Sequence, residues 1–482
     1  MEIGKNSEQI CFMLLLYTII IINKWLIFRH RFYTTNYKNM LQSKLQTKGE
    51  YMKMVKMSLL TALLVGSSAF AIENTKISGN ANLFYSTDDS GKSELFDKTT
   101  STADIGLNLN VTSDLIKNDS VSISGGAGYT ALTSLGLENN LVSGVWGGAH
   151  SLTTPTGASF GAPAGAKVEN ASWFNEAWIA ATSAKTTVKV GRMELDTPLA
   201  FTETWSIEKN TFEAALLINQ DIPDTTIVTT YIGNGNGTEG FGQTTLANGS
   251  AGTTGVLVNT NGKFGTYGTD GAYAAGIINN SFKPLTFQAW YYDVSKLAQA
   301  YWLQADIECS LVDGLLIGAQ YSGVKQDVSG SKEDNAYAVM LGYDWTDILT
   351  AKVAYSGVNK DGSLGRAAFN TATDSTYAQT KLYTETWWNY GQVTMSDTTT
   401  TNVTIESPVQ GIFDLGLYVY MIDHGKESLN ADGSVAKDLT EITLSASKSF
   451  GPLDAALVAI NTDVDGADDS VNIVQVYLTL NF

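Results

Sequence analysis

The chain has 482 residues, of which 16% are charged and 44% are hydrophobic, and it contains only 7 Pro and 2 Cys. Cys11 and Cys309 alone cannot build a disulfide scaffold, and the hydrophobic and aromatic content is too high for a disordered chain. A net charge of −18 lacks the basic surface that nucleic acid requires, so we expect no nucleic-acid partner and favour small solutes and cations.

The N-terminal part has the pattern of a targeting segment. From Met52, two lysines precede an apolar run over residues 59–65 and the cleavage motif Ala69-Phe70-Ala71, as in a secretory signal peptide. We therefore interpret residues 52–71 as a signal peptide, residues 1–51 as an extension upstream of the true translation start, and residues 72–482 as the mature protein. The alternative is a membrane anchor over residues 10–28, but its clean apolar run is shorter than the roughly 20 residues that a spanning helix needs.

The mature part alternates between apolar and polar residues with period two, which predicts β-strands. Clear examples are residues 105–111, 285–291, 301–308 and 441–446, each with one apolar row and one polar row. No long stretch has apolar residues at helical spacing. Alternation alone fits a soluble sandwich as well as a barrel, so the connections decide between the two.

The connections alternate between short and long. Tight turns fall near residues 114–119, 183–185, 220–224, 282–284, 312–314, 346–348, 407–410 and 451–453. Longer segments cover residues 86–101, 130–170, 193–211, 234–270, 359–397 and 423–437, with shorter ones near Ser295, Gln326 and Asp465. This asymmetry predicts an all-β fold, a transmembrane antiparallel β-barrel of about 18 strands with long extracellular loops and short periplasmic turns. A barrel of that width should enclose a water-filled channel.

The final strand ends the chain on Phe482, which closes an apolar row that also contains Val474, Val476 and Leu478. An amphipathic strand that stops on a terminal Phe looks like the C-terminal signal of outer-membrane barrel proteins. We therefore expect recognition by the barrel-assembly machinery through this strand, contact with outer-membrane lipids, and a location in the outer membrane of a Gram-negative bacterium.

Residues 174–224 contain the segments NEAWIAATS, TTVKVGRMELDTPL and NTFEAALLIN, and the segment DIPDTTIVTTYIG begins there at Asp221. This stretch resembles the OprD-like outer-membrane porin family, and within it the major porins of epsilonproteobacteria. The resemblance implies an 18-stranded homotrimer in which residues 193–211 fold inward as a constriction loop. Members with dedicated substrates carry a ladder of arginines, whereas the mature chain has only Arg192 and Arg366. We therefore predict a general passive diffusion channel.

Carboxylates outnumber cations at the positions predicted to face the pore. The constriction and selectivity candidates are Arg192, Glu194, Asp196, Glu203, Glu208 and Lys209. The lumen-facing candidates are Asp104, Glu176, Asp306, Glu308, Lys352 and Glu441. An excess of carboxylate predicts cation selectivity. The alternative is that many of these acids lie at loop tips and affect only solubility, and a slip of one residue would reverse the facing of any strand.

Other functions have weaker support. Asn461, Asp463 and Asp465 match the start of a calcium loop, but Asn472 stands where a bidentate Glu is needed, so calcium is a weak candidate and no other cofactor is expected. The long loops would also suit a surface adhesin or a structural barrel. A barrel hydrolase would need a nucleophile and an acid near His424, and nothing in the sequence converges there, so we predict that the chain is not an enzyme.

Overall fold

The computed structural model describes residues 73–133, 171–203, 209–245, 251–258, 264–268, 270–309, 312–372, 378–409, 412–430 and 432–482. The predicted upstream extension and signal peptide, residues 1–71, lie outside these residues, and so does Glu208. In the part of the chain that is described, no helix is long and apolar enough to cross a membrane.

Eighteen antiparallel strands form one closed sheet, as the alternation predicts. Each barrel strand pairs with the next barrel strand along the chain, and the first strand also pairs with the last, which closes the sheet. The strands of the first half are β1 (Glu73–Asp88), β2 (Ser101–Lys117), β3 (Ser122–Thr133), β4 (Ala171–Ser183), β5 (Thr186–Met193), β6 (Phe212–Asn219), β7 (Thr225–Gly235), β8 (Thr238–Thr245), β9 (Ala251–Val258), β10 (Gly265–Thr266) and β11 (Ala272–Asn279).

The second half runs from β12 to β21 with one short helix. Its elements are β12 (Leu285–Val294), β13 (Ala298–Glu308), β14 (Leu315–Gln326), β15 (Asp334–Trp345), β16 (Leu349–Val358), α1 (Tyr390–Val393), β17 (Thr398–Val409), β18 (Phe413–His424), β19 (Leu439–Phe450), β20 (Leu453–Val464) and β21 (Val471–Asn481). Strands β8, β9 and β10 belong to the connection between β7 and β11, and the other 18 form the barrel wall.

The connections separate by length onto the two ends of the barrel, which confirms the predicted asymmetry. All eight predicted tight turns join neighbouring strands at one end, here called the tight-turn end, and the long connections lie at the other. Local chemistry fixes these turns. Asn118 accepts the backbone N–H groups of Ser120 and Val121, and Gly314 adopts a φ of +82° where an added Cβ would meet the Asp344 carbonyl at 2.3 Å.

The outer face of the wall is an apolar belt. Side chains on the outward rows are exposed although they are large and hydrophobic, among them Ile179, Val190, Ile277, Leu303, Val339, Leu341, Val353, Leu444 and Leu457. A closed sheet leaves no unpaired backbone edge, so such a belt is compatible with the hydrocarbon core of a bilayer. The fold is that of a membrane-spanning barrel.

The inner face carries small, polar and aromatic residues, and the buried core lies inside the barrel. The predicted facing holds for β12 and β13, where Trp290 and Trp302 are buried inside while Phe287 and Leu303 are exposed outside. In β19, Glu441 and Thr443 point inward. The core forms because two long connections fold back into the barrel and bury apolar side chains against the wall.

Candidate functional site

The first inward loop follows β5, and its described residues, 194–203 and 209–211, pack against the inside of the wall. Leu195, Leu199 and Phe201 are each at most 4% exposed. The Leu199 N–H donates to the Tyr292 hydroxyl on strand β12 at 3.3 Å. These apolar side chains explain the fold of the loop, because burying each one stabilises the inward position by about 1.5–3 kcal/mol.

The second inward loop, residues 359–372 and 378–397 of the described chain, also lies inside the barrel, which the sequence did not predict. Near its start, the Asp334 carboxylate accepts the backbone N–H groups of Leu364 and Gly365 at 2.7 and 2.9 Å. At its far side, Glu441 accepts the backbone N–H groups of residues 387–389 at 2.9–3.1 Å. The loop therefore spans from the β15 wall to the β19 wall.

The two inward loops contact each other through buried polar groups. The Asn370 side chain accepts the Phe201 N–H at 3.1 Å and donates to the Phe201 carbonyl and to Glu203 Oε1, each at 3.0 Å. Glu203 also accepts the Gln379 N–H at 3.2 Å and is only 2% exposed. The structure thus places Glu203 between the loops, where its role is to join them, and not at a water-filled opening.

Two ion pairs of the inward loops are partly exposed to solvent. Lys209 pairs with Glu194 at 3.0 Å, with side chains 43% and 38% exposed. Lys381 pairs with Asp196 at 2.8 Å, with side chains 41% and 84% exposed. Four of the six predicted constriction residues are therefore in or beside the inward loops, and Lys381 is a charged group that the sequence reasoning missed.

The wall beside the first inward loop, on β4 and β5, carries another charged cluster. Trp178 donates its indole N–H to Glu176 at 3.1 Å, and the Lys189 ammonium lies 4.1 Å from the centroid of a Trp178 ring. Gly126 on β3 makes room for that indole, since an added Cβ would lie 2.4 Å from it. Glu194 and Lys209 are near enough to Glu176 to interact with it electrostatically.

Arg192 lies on the other side of the wall. It shares the outward row of β5 with the exposed Val188 and Val190, while Met193 on the alternate row is fully buried inside. Its guanidinium donates to Glu213 at 2.8 Å and to the Phe174 carbonyl at 3.0 Å. The structure therefore does not bring Arg192 to the predicted constriction.

The inner rows near the tight-turn end are acidic. Asp306 accepts the Gln304 amide at 2.8 Å and the Tyr383 hydroxyl, and Glu308 is exposed at the end of β13. Lys352 lies 3.7 Å from Glu406. Asp104 instead lies near the start of β2, toward the end of the barrel with the long connections, where its backbone pairs with Phe84. Additional inward acids that the sequence reasoning missed are Asp344, Glu406, Asp414 and Asp454.

The calcium candidates lie at the end of β20 and in the turn that follows it. Asn461 donates to Ser470 and Asn472 at 3.1 and 2.9 Å, and Asp463 is exposed on the outward row of β20. Asp465 belongs to the following turn. Over the described ranges, no group of three or more His, Cys, Asp or Glu side chains is close enough to hold a metal ion.

His424, the hydrolase candidate, lies at the end of β18. Its Nδ1 is 2.9 Å from the Thr398 hydroxyl, and Thr398 is 1% exposed. The Asp438 carboxylate accepts the backbone N–H of His424 at 2.6 Å and not the ring. A hydrolase would need an accessible nucleophile and an acid on this ring, and the contacts of His424 supply neither.

Comparison with known proteins agrees with this architecture. The chain is similar to the solved structure of the outer membrane protein OpdK of Pseudomonas aeruginosa, with 11% identity and a TM-score of 0.63 over 85% of this chain and 99% of that one. It is also similar to OccK9 (OpdG) and OccK8 (OprE) of the same organism, with 10% and 13% identity and TM-scores of 0.64 and 0.62, each over 86% of this chain and 99% of the other. No protein-family description and no curated protein matches the chain. The chain has the OprD/OccK porin fold.

Proposed function

We propose that the chain is an outer-membrane porin of a Gram-negative bacterium, a passive diffusion channel for small hydrophilic solutes and ions with a preference for cations. The observation that carries this proposal is the Lys381–Asp196 pair. Gln320, the sixth of the 12 residues of β14, donates to the Lys381 carbonyl at 2.8 Å, so the pair lies at mid-height inside the wall. The Asp196 side chain of this pair is nevertheless 84% exposed. A carboxylate exposed at that depth needs water around it, so the inside of the barrel must hold water.

The cation preference is supported by the balance of charges on the inner rows. Asp306, Glu308, Asp344 and Asp414 face inward near the tight-turn end, where Lys352 is a single opposing cation among the described inner-row residues of β13–β18. Carboxylates in a narrow aqueous space raise the local cation concentration. A passive channel of this kind needs no cofactor and no turnover.

Planar-bilayer recording tests the proposal. Refolded residues 72–482 under a KCl gradient should give stable conductance steps and a reversal potential on the cation-selective side. Steps with an anion-selective reversal would keep the channel and refute the acidic lumen. A folded, inserted barrel that conducts nothing would refute the channel and favour the adhesin.

The acidic inner rows give a further expectation. Asp306→Asn with Glu308→Gln should lower the cation-to-anion permeability ratio about twofold at low salt, because two lumen charges are removed. Asp463→Asn with Glu427→Gln is the matched control, since both acids are exposed outside the lumen. Equal reversal potentials for the two double variants would show that the inner carboxylates do not set the preference.

The proposal also covers the oligomeric state of the protein and its insertion into the membrane. The resemblance over residues 174–224 to the epsilonproteobacterial porins supports a homotrimer, and the apolar belt supports contact with outer-membrane lipids. The predicted role of the last strand in recognition by the assembly machinery rests on Phe482, whose backbone N–H bonds to the Gly79 carbonyl at 2.9 Å where the barrel closes. Mass measurement of the detergent complex tests the trimer.

A further inference from the structure

We propose that Lys381 is a selectivity-determining residue of the pore, which neutralises Asp196 and so limits the cation preference of the channel. This inference rests on the proposed function and deepens it. Ion selectivity is then controlled in part at the contact between the two inward loops. Lys381, a basic residue of the second loop, lowers the cation preference that the acidic inner rows produce.

Position is the first argument. The backbone of the second inward loop is anchored to Gln320 at Lys381 itself and at Tyr383. The Lys381 carbonyl accepts the Gln320 amide at 2.8 Å, and the N–H of Tyr383 donates to Gln320 Oε1 at 3.0 Å. The Tyr383 hydroxyl then reaches Asp306 on β13. Because Gln320 lies at the middle of β14, the backbone of Lys381 is held at the depth of the pore and not at its mouth.

The orientation of the side chain is the second argument. The Lys381 ammonium lies 4.6 Å from the centroid of the Phe201 ring and 2.8 Å from Asp196 Oδ1. A cation–π contact and a charged hydrogen bond both fix the head group over the first inward loop. Asp196 itself is held by a bridge to Phe201, which closes the tip of that loop. The positions of both charged groups are thereby fixed relative to the first inward loop.

Electrostatics supplies the third argument. The ammonium is 41% exposed and its partner is 84% exposed, so ions in the lumen can approach both. An exposed ion pair contributes little to stability, typically under about 1 kcal/mol, so a purely structural role would be weak. Its charges still act on passing ions within a Debye length, which is roughly 10 Å at 0.1 M salt. Removing one partner therefore leaves an unbalanced charge in the pore.

The test is the reversal potential of single-charge variants in planar bilayers at about 0.1 M mean KCl. Lys381→Gln should raise the cation-to-anion permeability ratio about threefold, and Asp196→Asn should lower it by a similar factor. The double variant should return close to the wild-type value. At about 1 M KCl, where the Debye length is roughly 3 Å, all four proteins should converge.

The matched control is Lys296→Gln. Lys296 pairs with Asp270 in the same way but is 74% exposed in the turn between β12 and β13, away from the loop contact. Its reversal potential should equal that of the wild type. A conducting Lys381→Gln channel with an unchanged reversal potential would overturn the inference while leaving the porin intact. Absence of conductance from the wild type would instead overturn the proposed function. If Lys381→Gln does not fold, Asp196→Asn still decides the question.

Discussion

Glu441→Ala should detach the second inward loop from the wall and enlarge the pore. Glu441 is fully buried and accepts the N–H groups of Trp387, Trp388 and Asn389, as well as the Asn389 side chain at 2.8 Å. Alanine would leave the three backbone N–H groups without this acceptor, while the Asn389 side chain keeps its hydrogen bond to Thr462 at 3.0 Å. Each buried unsatisfied donor costs about 1–3 kcal/mol, so the three together weaken the docking of the loop by about 3–9 kcal/mol.

Single-channel recording and limited proteolysis measure the effect. The variant should show a larger, noisier conductance and cleavage within residues 359–397, while its barrel still migrates as a folded species in unheated gel samples. Glu441→Gln retains one oxygen acceptor and should have an intermediate effect. The control is Glu427→Ala, which removes an acid that is exposed in the connection between β18 and β19. Wild-type conductance and protease resistance in Glu441→Ala would contradict the anchoring role.

The wall of the barrel was predictable because its signals are local. Period two assigns each side chain to a face, and in β12, β13 and β19 the polar row of the sequence is the inner row of the structure. The same rule places Arg192 on the outward row of β5, with Val188 and Val190. Turn residues marked the tight-turn end for the same local reason.

The second inward loop was not predictable because its anchors are distant in sequence. Asp334 and Glu441 lie on β15 and β19, and Glu203 lies more than 160 residues before its partner Asn370. A lone acid in a strand gives no sign that it will accept backbone N–H groups from a loop. The one local hint was the pair Trp387-Trp388 in a long connection, since two adjacent large aromatics are costly to leave in water. The positions of the charged groups in the pore therefore depend on contacts between residues that are distant in the sequence.

Glu385 should make the contact between the inward loops sensitive to pH. Burial raises the pKa of Glu385 from its ordinary value of 4.5 to about 8; the neighbouring Glu203 raises it further, and the Thr380 N–H and Lys381 oppose the rise. The buried Tyr390 also faces both carboxylates. A raised carboxyl pKa means that the docked loops bind a proton more tightly than separated loops do. Docking is therefore strongest below about pH 4.5, weakens as the pH rises toward 8, and then stays constant.

Glu385→Gln keeps an oxygen acceptor for the Thr380 N–H, which lies 3.0 Å from the native carboxylate, but it removes the titration. At pH 7 the neutral side chain should stabilise docking by at most about 3 kcal/mol, from roughly 2.5 pH units at 1.36 kcal/mol each. Wild-type channels should become noisier and more open between pH 5 and pH 9, while those of the variant should not change over that range. Glu427→Gln, which removes an exposed acid, should follow the wild type. If Glu385→Gln kept the wild-type pH profile, Glu385 would not be the group that titrates, and the loop contact would not depend on its protonation.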